Sequence, residues 1–173
     1  MIAGQQGRAE EAVQNFQQSL RQRPDFAIAL INLGNLYRRQ GDFAKAGELL
    51  NHALALQPDD AEVNYSLGMF YAQQDQGPKA AEYLGKAVVL RPDYPEALNN
   101  LGVLLTREQN FPKAEEQFRT CIRVAPNFDQ SYLNLARLYM SESDNARARE
   151  VLQELLRVQP QNSTALHALE KLQ

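Results

Sequence analysis

Five prolines, Pro24, Pro58, Pro92, Pro126 and Pro160, stand 34 residues apart. Proline locks φ and donates no backbone hydrogen bond, so its return at a fixed interval marks a recurring break in the chain. Self-similarity at a period of this size belongs to architectures in which each unit is one supersecondary motif packed on its neighbours. Placing each proline at position 32 of a 34-residue unit divides the chain into full units at 27–60, 61–94, 95–128 and 129–162. Residues 1–26 carry the tail of a preceding unit, with Ala12, Phe16 and Ser19 in register. Residues 163–173 begin another, with Leu166 and Leu169 in register. The whole chain, 1–173, reads as one solenoid.

The register holds at every other informative position. Position 7 is Leu33, Leu67, Leu101 and Leu135. Position 8 is Gly34, Gly68, Gly102 and Ala136, and position 11 is Tyr37, Tyr71, Leu105 and Tyr139. Position 20 is Ala46, Ala80, Ala114 and Ala148, and position 24 is Leu50, Leu84, Phe118 and Leu152. Positions 4, 7, 8 and 11 fall on one face of an α-helix, and 20, 24, 27 and 28 on one face of a second. Turn residues such as Gly41-Asp42 separate the two, and Pro78, Pro95 and Pro112 fit first turns of helices. The spacing predicts helices near 8–22, 27–40, 43–57, 61–74, 78–91, 95–108, 111–125, 129–141, 145–158 and 163–172. Small residues at positions 8 and 20 let paired helices approach closely, with position 8 expected to face position 20.

The Leu-Gly steps at 33–34, 67–68 and 101–102, with Ala46, Ala80 and Ala114, make this pattern resemble the tetratricopeptide repeat over essentially the whole chain. The resemblance implies an all-α fold, a right-handed superhelical solenoid of antiparallel helix pairs, serving as a scaffold for other proteins. Two departures bear on packing. The first core position of the first helix, often tryptophan in the family, is Leu30, Asn64, Leu98 and Tyr132, so Asn64 brings an amide to a core site. Leu155 stands where a small residue is usual, which suggests an atypical closing helix after the last full unit.

Composition narrows function by exclusion. The net charge is −3 and no basic cluster occurs, so no nucleic-acid footprint is expected. Apolar runs are far too short to span a membrane. The first seven residues are too short and polar for a secretory signal. Localisation therefore stays unknown, with a cytoplasmic protein favoured and export open should a leader precede Met1. Cys121 is the single cysteine and sits in a small-residue core slot, which points to a buried, inert thiol. His52 and His167, far apart in sequence, read as surface or interface residues. Acidic pairs such as Asp59-Asp60 and Glu115-Glu116 sit at helix starts or exposed faces. No phosphate loop, metal-ligand set or nucleophile–base pattern appears, so the chain is read as non-enzymatic, with no cofactor and no metal.

Function is then expected on the first helices of the pairs, which line the inner surface of a stacked solenoid. At 100° per residue, positions 2, 5, 6, 9, 12 and 13 point away from the core. The candidate peptide-binding residues are Asn32, Asn35, Arg38, Arg39, Tyr65, Met69, Asn99, Asn100, Val103, Arg107, Leu133, Asn134 and Arg137. Asn32, Asn100 and Asn134 form a ladder at position 6 broken by Ser66, and the ladder resembles that of repeats attached to a protein O-glycosyltransferase. An amide offers both donor and acceptor to a peptide backbone; the same asparagines could equally join helix to helix. Ile31, Tyr65, Met69, Val103 and Leu133 form an apolar stripe that reads either as a docking surface or, in part, as core. The family's carboxylate clamp is absent: Ile31 stands where it needs lysine, and Glu96 and Asn100 stand where it needs basic residues.

The leading expectation is a scaffold that holds a peptide or helix of a partner protein in a concave groove. The alternatives are a substrate-docking region of a larger enzyme, such as a glycosyltransferase, and a self-assembly element. For the last, a homodimer through exposed terminal helices is expected, with Phe16 as the apolar group left short of partners and Leu166, Leu169 and Leu172 forming a second apolar edge.

Overall fold

The computed structural model describes the backbone of residues 2–172 and the side chains of residues 10–172. Among the described residues there are ten α-helices and no strand. The chain divides into two compact units, Met1–Leu90 and Arg91–Gln173. The first holds α1 (Ile2–Gln22), α2 (Ala27–Gln40), α3 (Phe43–Leu56), α4 (Ala61–Gln73) and α5 (Gly77–Leu90). The second holds α6 (Pro95–Arg107), α7 (Phe111–Val124), α8 (Asp129–Ser141), α9 (Asn145–Val158) and α10 (Ser163–Lys171). In the first unit α2 pairs with α3 and α4 with α5. In the second α6 pairs with α7 and α8 with α9, and α10 packs on α9 as a closing helix. This is the all-α, helix-pair solenoid fold the repeat implies. One boundary differs by more than a residue: α1 begins at Ile2 rather than near residue 8, running straight through Gly7, although Gly7 shares the register position at which every full unit turns.

Those turns have one construction. Position 15 of each full unit adopts positive φ: Gly41 (83°), Asp75 (56°), Gln109 (60°) and Ser143 (62°). The amide of position 16 then returns to the carbonyl of position 11, from Asp42 to Tyr37, Gln76 to Tyr71, Asn110 to Leu105 and Asp144 to Tyr139, at 2.8–3.0 Å. The amide of position 15 reaches the carbonyl of position 12. This pair of bonds is the left-handed helix stop that satisfies orphaned carbonyls. Glycine enters that backbone region without cost, whereas the side chains of Asp75, Gln109 and Ser143 do not. The next helix starts at once, and Asp42 and Asp144 accept the amides of Lys45 and Arg147 as N-caps.

Each unit has its own core. In the first, Leu30, Leu33, Tyr37, Ala46, Leu50, Val63, Leu67 and Phe70 pack together. In the second, Phe118, Tyr132, Leu135, Leu138, Tyr139, Leu152 and Leu155 do so. Close approach depends on position 8. A Cβ built on Gly34, Gly68 or Gly102 would fall 2.9, 2.7 and 2.6 Å from side-chain atoms of Leu50, Leu84 and Phe118. The residue nearest to position 8 is therefore at position 24, not position 20 as the small-residue pattern suggested. Only beside Gly34 does position 20 come among the nearest atoms, through the Ala46 carbonyl at 3.5 Å. The longer side chain wins because it reaches back along its helix onto the turn before it.

Asn64 is wholly buried at its core site. Its amide donates to the carbonyls of Pro58 and Asp60, at 2.9 and 2.8 Å, while Oδ1 takes no hydrogen bond. Leu155 is likewise wholly buried, beside Ala165 of α10. Cys121 is buried, its thiol 3.4 Å from the Pro95 carbonyl, and burial pushes its pKa up. Phe16 is half-buried against the first core rather than left without partners. At the other end Leu172 is buried and Leu169 half-buried, so the expected apolar edge reduces to Leu166, which is 45% exposed. No helix is long and apolar enough, among the described residues, to cross a membrane.

Candidate functional site

In the first unit, α2 and α4 lie side by side. That seam decides which outward positions stay accessible. Ile31, at position 5, is only 5% exposed and belongs to the core, whereas Asn32 and Arg39 are exposed and Asn35, Arg38, Tyr65 and Met69 are half-buried. A polar network crosses the seam. Asn35 Nδ2 donates to Ser66 Oγ at 2.8 Å, Arg38 Nη1 donates to Gln73 Oε1 at 3.0 Å, and Arg38 Nε reaches Asn35 Oδ1 at 3.4 Å. Burial lowers the Arg38 pKa from its ordinary value; the Tyr65 phenol works against this and Arg39 with it. The polar groups on this face are therefore largely engaged with one another.

The second unit repeats the seam between α6 and α8 with different chemistry. Asn99, the position-5 counterpart of Ile31, is 4% exposed and accepts two hydrogen bonds at Oδ1, from Ser131 Oγ at 3.2 Å and Asn134 Nδ2 at 2.9 Å. Beside this bridge opens a cleft of about 210 Å³ lined by Val103, Thr106, Arg107, Phe118, Asn134, Arg137, Leu138 and Ser141. Its hydroxyls are committed: Thr106 Oγ1 donates to the Gly102 carbonyl at 2.9 Å and Ser141 Oγ to the Leu138 carbonyl at 2.6 Å. Phe118 and Leu138 are buried beneath it, and Val103, Arg107 and Arg137 are exposed.

Four expected groove residues, Val103, Arg107, Asn134 and Arg137, are thus brought together around one concavity. Asn99 is a correction. It lies under the surface as a joint between helices, because position 5 sits against the neighbouring first helix rather than opposite it. The asparagine ladder divides in the same way: Asn32 is exposed, Asn100 half-buried, and Asn134 donates one of its two amide hydrogens to Asn99. Leu133 is half-buried and packs against the second core, as an apolar residue split between the two readings of the stripe. Sequence reasoning missed Phe118 and Leu138 as cleft residues, since both carry the core signal. The available clue was Gly102, whose missing side chain lets the Phe118 ring come up against the first helix.

The tetratricopeptide-repeat family model matches residues 5–70 and 105–172, and a second model of the same repeat matches 48–95 and 65–127. Comparison with curated protein sequences returns no match. Among similar solved structures, MamA is 23% identical with a TM-score of 0.78, covering 92% of this chain and 94% of that one. YrrB, described as a TPR protein with an unusual peptide-binding site, is 24% identical with a TM-score of 0.73, covering 98% and 87%. The pilF protein of Pseudomonas aeruginosa is 25% identical with a TM-score of 0.81, covering 94% and 74%.

Proposed function

Because the chain belongs to the tetratricopeptide-repeat family, we propose that it is a protein-interaction scaffold whose α6–α8 face binds an extended peptide or a helix of a partner protein. The cleft carries this reading: an apolar floor of Phe118 and Leu138, an exposed Val103, and a few polar groups from two adjacent helices. Ligand sites combine these features, a mostly apolar concavity with a small number of placed polar groups. That YrrB is described as having a peptide-binding site supports the reading by analogy of fold. In the first unit, Asn32, Arg39, Tyr65 and Met69 offer a further contact face, of different chemistry.

The test is selection from a displayed random-peptide library, followed by titration of the selected peptides. Val103→Trp would fill the cleft, while Glu82→Lys changes an exposed residue of α5 far from it in sequence. Binding retained by Glu82→Lys and lost by Val103→Trp supports the proposal. Equal binding by Val103→Trp overturns it.

A further inference from the structure

The cleft between α6 and α8 also has a definite chemical bias, set by which of its polar atoms are already in use. The hydroxyl hydrogens of Thr106 and Ser141 go to carbonyls of their own helices. One of the two Asn134 amide hydrogens goes to Asn99. Among the described residues no aspartate or glutamate lines the cleft, and the two charged ones that do, Arg107 and Arg137, are both cationic. Arg137 is exposed and takes part in none of the ion pairs among the described residues. The first unit differs at the same place, where Asn35 and Met69 hold position 9 and Arg38 is tied to Gln73.

Resting on the peptide-binding reading above, we infer that the preferred occupant of this cleft is an acidic peptide, one whose apolar side chain lies over Phe118, Leu138 and Val103 while an adjacent carboxylate meets Arg137. A guanidinium is a planar multiple donor with no acceptor, so its partner of choice is a carboxylate held by two parallel hydrogen bonds. The apolar floor supplies the second determinant, which a purely electrostatic partner would leave unused. This site differs in construction from a clamp for a chain terminus: it has one unpaired arginine at position 9 beside an apolar floor, and a carboxylate within a peptide satisfies it.

The test is selection of internal, end-blocked peptides against the wild-type protein and, in parallel, against Arg137→Glu. Both proteins are checked for unchanged helicity, which the exposure of Arg137 leads us to expect. Wild-type selection should enrich Asp or Glu next to Leu, Ile, Phe or Met. Arg137→Glu should enrich Lys or Arg in the same place. A selected acidic peptide should lose about tenfold in affinity on Arg137→Gln, the scale of one charged hydrogen bond, and should weaken as salt rises. Peptides that bind but show no acidic bias, or an unchanged consensus for Arg137→Glu, overturn the inference and leave the peptide-binding scaffold standing. Peptides whose affinity is indifferent to Val103→Trp as well overturn both.

Discussion

Close approach of paired helices through position 8 can be measured with two glycines on adjacent helices. Gly68, on α4, would place a new Cβ 2.7 Å from Leu84 Cγ, 2.9 Å from Cδ2 and 3.1 Å from the Leu84 backbone nitrogen. Leu84 is 1% exposed, so its side chain has nowhere to swing, and its backbone is held in α5. Gly85, the next residue on α5, would place a Cβ with nothing within 4 Å. Alanine improves helix propensity by about 1 kcal/mol over glycine at both sites. Gly85→Ala should therefore stabilise by roughly 0.5–1 kcal/mol. Gly68→Ala has the same gain but adds overpacking of about 1–3 kcal/mol. Propensity cancels in the comparison, so Gly68→Ala should be less stable than Gly85→Ala by about 1–3 kcal/mol. With a urea slope of roughly 1–3 kcal/mol per molar, the two unfolding midpoints should separate by about 1 M. Coincident midpoints, or Gly68→Ala the more stable, would refute the packing argument. The fourth full unit, with Ala136 buried at this position, shows that alanine is accommodated where the helix pair is built around it.

Other outcomes follow from the turns, the core amide and the caps. Gln109→Gly and Ser143→Gly should each raise stability by roughly 0.5–1 kcal/mol in urea denaturation, since glycine relieves the left-handed backbone; loss of stability in both would contradict the turn geometry. Asn64→Leu should raise stability by about 1–2 kcal/mol, because it removes a buried carbonyl oxygen without a partner and adds apolar burial. Its lost donations are tolerable, as exposed Pro58 can turn to water and the Asp60 carbonyl still takes the residue 64 amide at 3.1 Å. A lower thermal midpoint would count against that reasoning. The Asp144 carboxylate is held below its ordinary pKa by the Arg147 backbone amide, then by the Arg147 side chain, and Asp42 similarly by the Lys45 side chain and amide. A depressed folded-state pKa gives stability that is present above the unfolded value and lost as pH falls through the folded one. Acid titration of stability should therefore be shallower in Asp144→Asn than in wild type; an identical profile would show that this cap contributes nothing.

The period of the prolines made the helix count, the pairing and nearly every boundary readable, because core positions at helical spacing leave only one face to bury. The left-handed residues were hidden at three of four turns. Asp75, Gln109 and Ser143 carry no glycine signal, and only the carbonyls awaiting a partner at the helix end explain their backbone. The candidate site was legible to the level of the face but not of the residue. A 100° step separates positions 5 and 6, yet the neighbouring helix covers Ile31 and Asn99 and leaves Tyr65 half-open, a matter of side-chain size and of the partners across each seam. The same physics made asparagine ambiguous. Asn134 lines the cleft and also ties α8 to α6 through Asn99, and no sequence pattern separates the two roles.

Mapping backbone amide shifts while titrating a library-selected peptide tests the scaffold account most directly. The account expects the largest changes on α6 and α8, at Val103, Thr106, Asn134, Arg137 and Ser141, with α7 and α9 little affected on their outward sides. A second open cleft in this unit, formed by Arg119, Ile122, Arg123, Tyr132, Glu154 and Arg157, supplies the contrast. Shifts concentrated at Arg119, Arg123 and Arg157, with Val103 and Arg137 unmoved, would place binding on the second helices and contradict the claim.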